Sequence, residues 1–192
     1  MPIIEAELDS PYAVFILGSR RVGKTTLLKL LQNRLRESGV PPGNILYFDL
    51  ENPIFRQDFE EPHYDLVGQA LLSRAENSDK RVFVFLDEVQ YLKEPSGLIK
   101  YLVDHYPRLK FILSGSSSLR IKTIFKDSMA GRKRVFRLYP LTFGEFLRFK
   151  DKDHALPPHL PVDILSGNIE TALSQIQLLP SQRTILLEEI FD

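Results

Sequence analysis

The chain has 192 residues, 43% of them hydrophobic and 26% charged, the balance of a globular domain with one full core. Lys+Arg and Asp+Glu both number 25, which excludes a polyanion-binding charge spread over the whole molecule and leaves only a local patch for nucleic acid. The lack of cysteine excludes a disulfide framework and thiolate metal sites and fits a reducing cytoplasm. The N-terminus, MPIIEAELDS, has no charged-then-apolar signal pattern. Apolar runs such as Val82 to Leu86 fall far short of the ~20 residues that span a bilayer. The expectation is a soluble cytoplasmic chain with no membrane partner.

Along the chain, YAVFIL (12–17) reads as a buried strand, followed by a glycine-rich turn and a helix from about Gly23 to Glu37. Leu27, Leu28, Leu31 and Leu35 recur there at three- and four-residue steps and form one apolar face. SGVPPGN (38–44) ends the helix. ILYFDLE (45–51) is a second strand, NPIFRQDFEEP (52–62) a polar loop, and His63 to Ala75 a helix. RVFVFLDE (81–88) is an apolar strand ending in two carboxylates. A helix over about Gly97 to His105 precedes LKFILSGSS (109–117), a strand ending in serines.

A short helix (about 118–128), a strand RKRVFRL (132–138) and a turn at Pro140 come next. Thr142 and Glu145 have capping-box spacing for a further helix, on which Phe143, Phe146 and Phe149 form a stripe read as core packing rather than a base-stacking platform. Continuous apolar strands alternating with helices predict an α/β fold with a parallel sheet covered on both faces. From Asp151, DKDHALPPHLP reads as a linker, and helices are expected near 168–178 and 181–191. The domain reading is residues 1–150 as one α/β domain and 151–192 as a Pro-rich linker with the helical start of a truncated C-terminal region. The four histidines are scattered with no i, i+4 pair.

Gly18-Ser19-Arg20-Arg21-Val22-Gly23-Lys24-Thr25 matches the phosphate-loop (Walker A) pattern G-x-x-x-x-G-K-[ST] without a mismatch. Such a loop points successive backbone N–H groups inward around a phosphate chain. Gly18 and Gly23 permit backbone angles and approaches that a Cβ forbids. Lys24, opening the helix, meets the β and γ phosphates together with the positive helix end, and Thr25 offers a hydroxyl to Mg²⁺. An apolar strand before the loop and an amphipathic helix after it supply the context the motif needs.

Asp87-Glu88 at the end of an apolar strand fits a Walker B pair. Asp87 would serve Mg²⁺ through water and Glu88 would be the general base for the attacking water. The bland alternative is a solvated strand end. Ser114-Gly115-Ser116-Ser117 ends the next strand, where a polar residue can lie between the γ-phosphate and the attacking water; the alternative is a helix N-cap from Ser116 or Ser117. The basic segment Arg120 to Arg137 has three readings: an arginine finger, with Arg132 the candidate; a nucleic-acid backbone contact; or charges that protect an exposed edge strand.

With GSRRVGKTT, LYFDLENP, VFLDEVQYL, LSGSSS and MAGRKRVFRLYPLTFGEFL in this order, the chain resembles the AAA+ superfamily predicted ATPases of bacteria and archaea that carry a C-terminal domain of uncharacterised function. The resemblance covers about residues 12 to 149. It implies a P-loop NTPase fold of the AAA+/ASCE type, a five-stranded parallel sheet sandwiched by helices with a short helical C-terminal extension. In that sheet the strand after the Ser-rich element is expected between the loop strand and the Asp-Glu strand. ATP with Mg²⁺ is the implied ligand, with Gly18 to Thr26, including Thr26 itself, binding phosphates, Asp87 serving the metal, Glu88 the water, and Ser114 or Ser116 the sensor. Arg20 and Arg21 mark the branch, since RRVGKTT recurs in the family, and the phosphate chemistry requires neither side chain.

Two departures stand out. Residues 1–11 precede the first strand, where the family has a longer segment able to contact adenine, and the C-terminal domain is lacking, so the chain reads as a fragment or excised domain. The expected function is slow ATP hydrolysis. The alternative is a nucleotide-dependent switch that binds a protein or DNA partner with little hydrolysis. A second copy of the chain is the further candidate partner, and a phosphotransferase would need an acceptor pocket that no motif marks.

Overall fold

The structure, a computed structural model, describes residues 2–116 and 129–149. The expected helix at 118–128, the Arg120–Asp127 charges, Ser117, the 151–161 linker with His154 and His159, and the last two helices lie outside the described residues. The chain divides into two compact units, Met1–Tyr139 and Pro140–Asp192.

The first unit opens with α1 (Pro2–Glu5), followed by β1 (Ala13–Gly18) and α2 (Lys24–Glu37). Then come β2 (Ile45–Asp49), α3 (Pro53–Gln57), α4 (Tyr64–Ser73), β3 (Val82–Asp87), α5 (Pro95–His105), β4 (Leu109–Ser116) and β5 (Lys133–Leu138). All four strand pairings are parallel, in the order β2-β3-β4-β1-β5. The β1, β3 and β4 runs are apolar without alternation because both of their faces are covered. On one face Phe15, Val84, Leu86, Phe111 and Leu113 pack with Val67 and Leu71 of α4 and Leu98, Ile99 and Leu102 of α5. On the other, Val14, Ile16, Phe83, Phe85 and Ile112 pack against Leu28, Leu31 and Leu35 of α2. The predicted leucine face of α2 is this contact.

The structure corrects two expectations. The strand between the loop strand and the Asp-Glu strand is β4, which itself carries the serines; the strand after them, β5, lies outside β1. Its alternation of half-buried and exposed residues, with Val135 45% exposed, is that of an edge strand, unlike the buried run of β4. Residues 53–57, read as loop, form α3, with Pro53 in the first turn and the Asn52 side chain accepting from Ile54 N at 3.0 Å. The polar composition concealed an N-cap followed by a first-turn proline.

At the sheet's N-terminal edge Lys110 is buried, and its ammonium donates to Ser10 O at 2.8 Å and Tyr12 O at 2.5 Å, tying the entry of β1 to β4. Burial pulls its pKa down to about 8. In the second unit, Phe143–Phe149 forms α6. Its capping box is complete: Glu145 N donates to Thr142 Oγ1 at 3.3 Å, and Thr142 N donates to Glu145 Oε2 at 2.8 Å. Phe149 is 77% exposed, so the aromatic stripe is not a uniformly buried one.

Candidate functional site

In a parallel sheet all strands end at one edge, and side chains two residues apart share a face. The face packed on α2 therefore receives Tyr47 of β2, Asp87 of β3 and Ser114 of β4, each near its strand's C-terminal end. α2 starts at the same edge. The fold thus brings together a loop and a carboxylate pair whose contacting residues, Thr25 and Asp87, stand 62 positions apart in the sequence.

The glycines have separate reasons. A Cβ on Gly18 would lie 2.5 Å from Leu138 O and 2.8 Å from Val22 Cγ2, so close backbone approach to β5 requires glycine there. Gly18→Ala is expected to destabilise the domain by about 1–3 kcal/mol through this overpacking, read as a lower midpoint in urea unfolding. An unchanged midpoint would show that β5 yields freely. Gly23 sits at the N-cap of α2 with φ 94°, in the left-handed region, and nothing lies within 4 Å of its would-be Cβ. α2 has no side-chain cap and no acidic residue in its first turn. Its first-turn N–H groups therefore meet no capping side chain.

Lys24 is 4% exposed, and its Nζ donates to Ser19 O at 2.9 Å and stands 3.8 Å from Glu88 Oε1. Thr25 Oγ1 donates to Asp87 Oδ2 at 2.7 Å. Ser19, Arg20, Arg21 and Thr26 are exposed, and Val22 is half-buried. Asp87, 2% exposed, also accepts from Tyr47 Oη at 2.9 Å, from the Ser114 hydroxyl, and from Glu88 N at 3.1 Å. Four donors around one buried carboxylate fix its orientation. Burial, followed by the hydrogen bond to Asp87, pushes the Tyr47 hydroxyl above its ordinary range, so it remains a donor.

Among the described residues, the non-glycine positive φ angles are those of Arg21, 64°, and Glu88, 57°. Both lie at this site, one in each motif, which fits the tendency of backbone strain to collect at functional positions. The turn at Glu88 leads into a 3₁₀ turn, Val89–Tyr91. From it Gln90 reaches back: Nε2 donates to Glu88 Oε2, and Oε1 accepts from Ser116 N at 3.3 Å. Ser114 is fully buried, and its Oγ also accepts from Glu88 N at 3.2 Å, whereas Ser116 meets Gln90 through its backbone. Tyr47 and Gln90 were not foreseen. A tyrosine two residues before the end of a strand, and an amide two residues after the carboxylate pair, were the available signals.

Arg132 is not brought to this site. Its carbonyl accepts from Ala13 N at 2.9 Å, where β1 begins, and its Nε donates to Asp104 Oδ1 at 2.5 Å. Five residues of β1 at ~3.3 Å each separate that edge from Gly18. The hydrogen bond from Arg132 holds Asp104 below the ordinary carboxylate range. Among the described residues, no cluster of three or more His, Cys, Asp or Glu is placed to hold a metal, and no helix is long and apolar enough to cross a membrane.

Comparison with known proteins bears on the family and the fold. An uncharacterized protein of Haemophilus influenzae is 25% identical over 150 residues, covering 76% of this chain and 35% of that protein, so the chain spans about a third of the relative's length. The Aeropyrum pernix ORC1 protein, solved in complex with DNA, superposes with a TM-score of 0.50 at 16% identity, over 82% of this chain and 50% of that one. Saccharomyces cerevisiae RIF2 gives 0.50 at 14% identity, over 88% and 65%. At these identities the two structures speak for the fold alone. The model of a family described as an AAA domain matches residues 10–147. The chain therefore belongs to the AAA domain family and carries a nucleotide-binding domain of the AAA+ P-loop type.

Proposed function

We propose that this domain binds ATP with Mg²⁺ at the N-terminus of α2 and hydrolyses it to ADP and phosphate. The carrying observation is the meeting of the two motifs, Thr25 with Asp87 at 2.7 Å and Lys24 with Glu88 at 3.8 Å. The backbone of Gly18 to Gly23 wraps the phosphate chain, and the uncapped turn at Lys24, Thr25 and Thr26 adds its N–H groups. Lys24 exchanges Ser19 O and Glu88 for phosphate oxygens.

Thr25 and Asp87 would hold Mg²⁺. They form an oxygen-only pair suited to an ion that takes one or two protein ligands and completes its shell with phosphate oxygens and water. Bound there, the ion offsets charge on the β and γ phosphates. Asp87 is so fully hydrogen-bonded that its contact would run through water. Glu88 takes the proton of the attacking water. Ser114 keeps Asp87 and the backbone of Glu88 in register, and it is our choice for the sensor place over Ser116. Departure of Lys24 to the nucleotide would also release Glu88 Oε1, so binding would arm the base.

A nucleotide-dependent switch with little hydrolysis is the second reading. The position of Arg132 favours it, because transition-state charge is then left without that guanidinium unless a second copy supplies one. A protein or DNA partner belongs to this reading; the ORC1 neighbour was solved in complex with DNA. Phosphate release at rising protein concentration tests both. The expected result is Mg²⁺-dependent release, abolished by EDTA, with a rate per chain that rises with concentration if a second copy completes the site. Release that persists in EDTA would contradict the roles of Thr25 and Asp87.

A further inference from the structure

The carboxylate of Glu88 is held from two sides: Oε1 faces Lys24 Nζ at 3.8 Å, and Oε2 accepts from Gln90 Nε2. The other end of the Gln90 amide accepts from the backbone N–H of Ser116, the last residue of β4, at 3.3 Å. The turn that carries Gln90 is anchored by Val89 and Leu92, 0% and 1% exposed, so its backbone has little freedom. The left-handed backbone at Glu88 folds the chain back, so that the side chains of residues 88 and 90 meet.

We propose that Gln90 is a positioning residue for the hydrolysis: it sets the orientation of the Glu88 carboxylate and makes that orientation depend on where β4 ends. This rests on Glu88 being the general base. The chemistry of an amide supports it. One end donates and the other accepts, so the N–H of Ser116 on Oε1 dictates that Nε2 faces Glu88. A carboxylate held at Oε2 keeps Oε1 for water once Lys24 has moved to the phosphates. Ser116 and Ser114 lie on one strand end, so a shift there reaches Glu88 twice, through the Gln90 amide and through the Ser114 hydroxyl that accepts from Glu88 N. Anything that moves the end of β4 would regulate turnover by misaligning the base and leave the phosphate loop intact.

Steady-state ATP turnover of Gln90→Leu, Gln90→Glu and Glu88→Gln beside the wild type tests this. Gln90→Leu is expected to lower kcat about tenfold or more, with KM for ATP and Tm unchanged, because the phosphate contacts are untouched. In Gln90→Glu, the introduced group opposes Glu88 when ionised and donates to it when protonated. Its kcat relative to wild type is therefore expected to rise as pH falls from 8 to 6. Wild-type kcat in Gln90→Leu, a parallel loss of KM and Tm, or a pH-independent Gln90→Glu ratio would each overturn the proposal. Loss of turnover in Glu88→Gln with full activity in Gln90→Leu would remove Gln90 alone. Full activity in Glu88→Gln, or a wild type without turnover, would remove the base assignment and Gln90 with it.

Discussion

Lys24→Ala is expected to weaken ATP binding a hundredfold or more, measured by calorimetry with MgATP. Lys24 opens α2, is 4% exposed, and holds its ammonium against Ser19 O and Glu88, at the mouth of the uncapped helix. No water shell competes strongly for it there, so its hydrogen bonds to phosphate would be charge-assisted and poorly screened. Losing them costs about 3 kcal/mol or more, and each 1.4 kcal/mol is about tenfold in affinity. Replacing Arg20 and Arg21 together by alanine provides the contrast. Both side chains are exposed on the loop, where charge is screened, and the expected loss is under about tenfold. Equal losses in the two variants would show that the side chains of the loop, and not its backbone and lysine, hold the nucleotide.

Glu88→Gln is expected to keep ATP affinity within a few-fold and to lower turnover by about 10²-fold or more, the range for removal of a general base. The substitution preserves shape and removes only the proton acceptor. Both carboxylate oxygens already have neighbours, Lys24 and Gln90, and the backbone N–H bonds to Asp87 and Ser114 remain. The fold around Asp87 should therefore survive. Loss of the Lys24–Glu88 pairing frees Lys24 for the phosphates, so affinity has a reason to rise slightly rather than fall. Turnover at the wild-type rate would remove Glu88 from the reaction and leave the Thr25–Asp87 contact as a binding device only.

The frame of this site was legible in the sequence because two strong signals coincide. The glycine–lysine–threonine spacing follows an apolar strand, and Asp87-Glu88 ends another. Parallel strands gather their C-terminal ends, so parity alone brings Asp87 and Ser114 to the α2 face. What escaped depends on neighbours that the sequence does not order. Tyr47 touches Asp87 because β2 lies beside β3 with Asp49 opposite Asp87. Gln90 reaches Glu88 only because residue 88 adopts φ 57°, and no composition signals a left-handed glutamate. Arg132 flanks the start of a parallel strand, so the topology puts it at the edge opposite the phosphate loop of its own chain. The family pattern orders the motifs along the chain, but their lateral order in the sheet is set by packing, which puts the serine strand itself between β3 and β1.

The identity of the nucleotide retained by the wild type and by Glu88→Gln after incubation with MgATP tests the central claim most directly. ADP on the wild type and intact ATP on the variant, at similar occupancy, are the expected result. The same nucleotide on both proteins would contradict the claim.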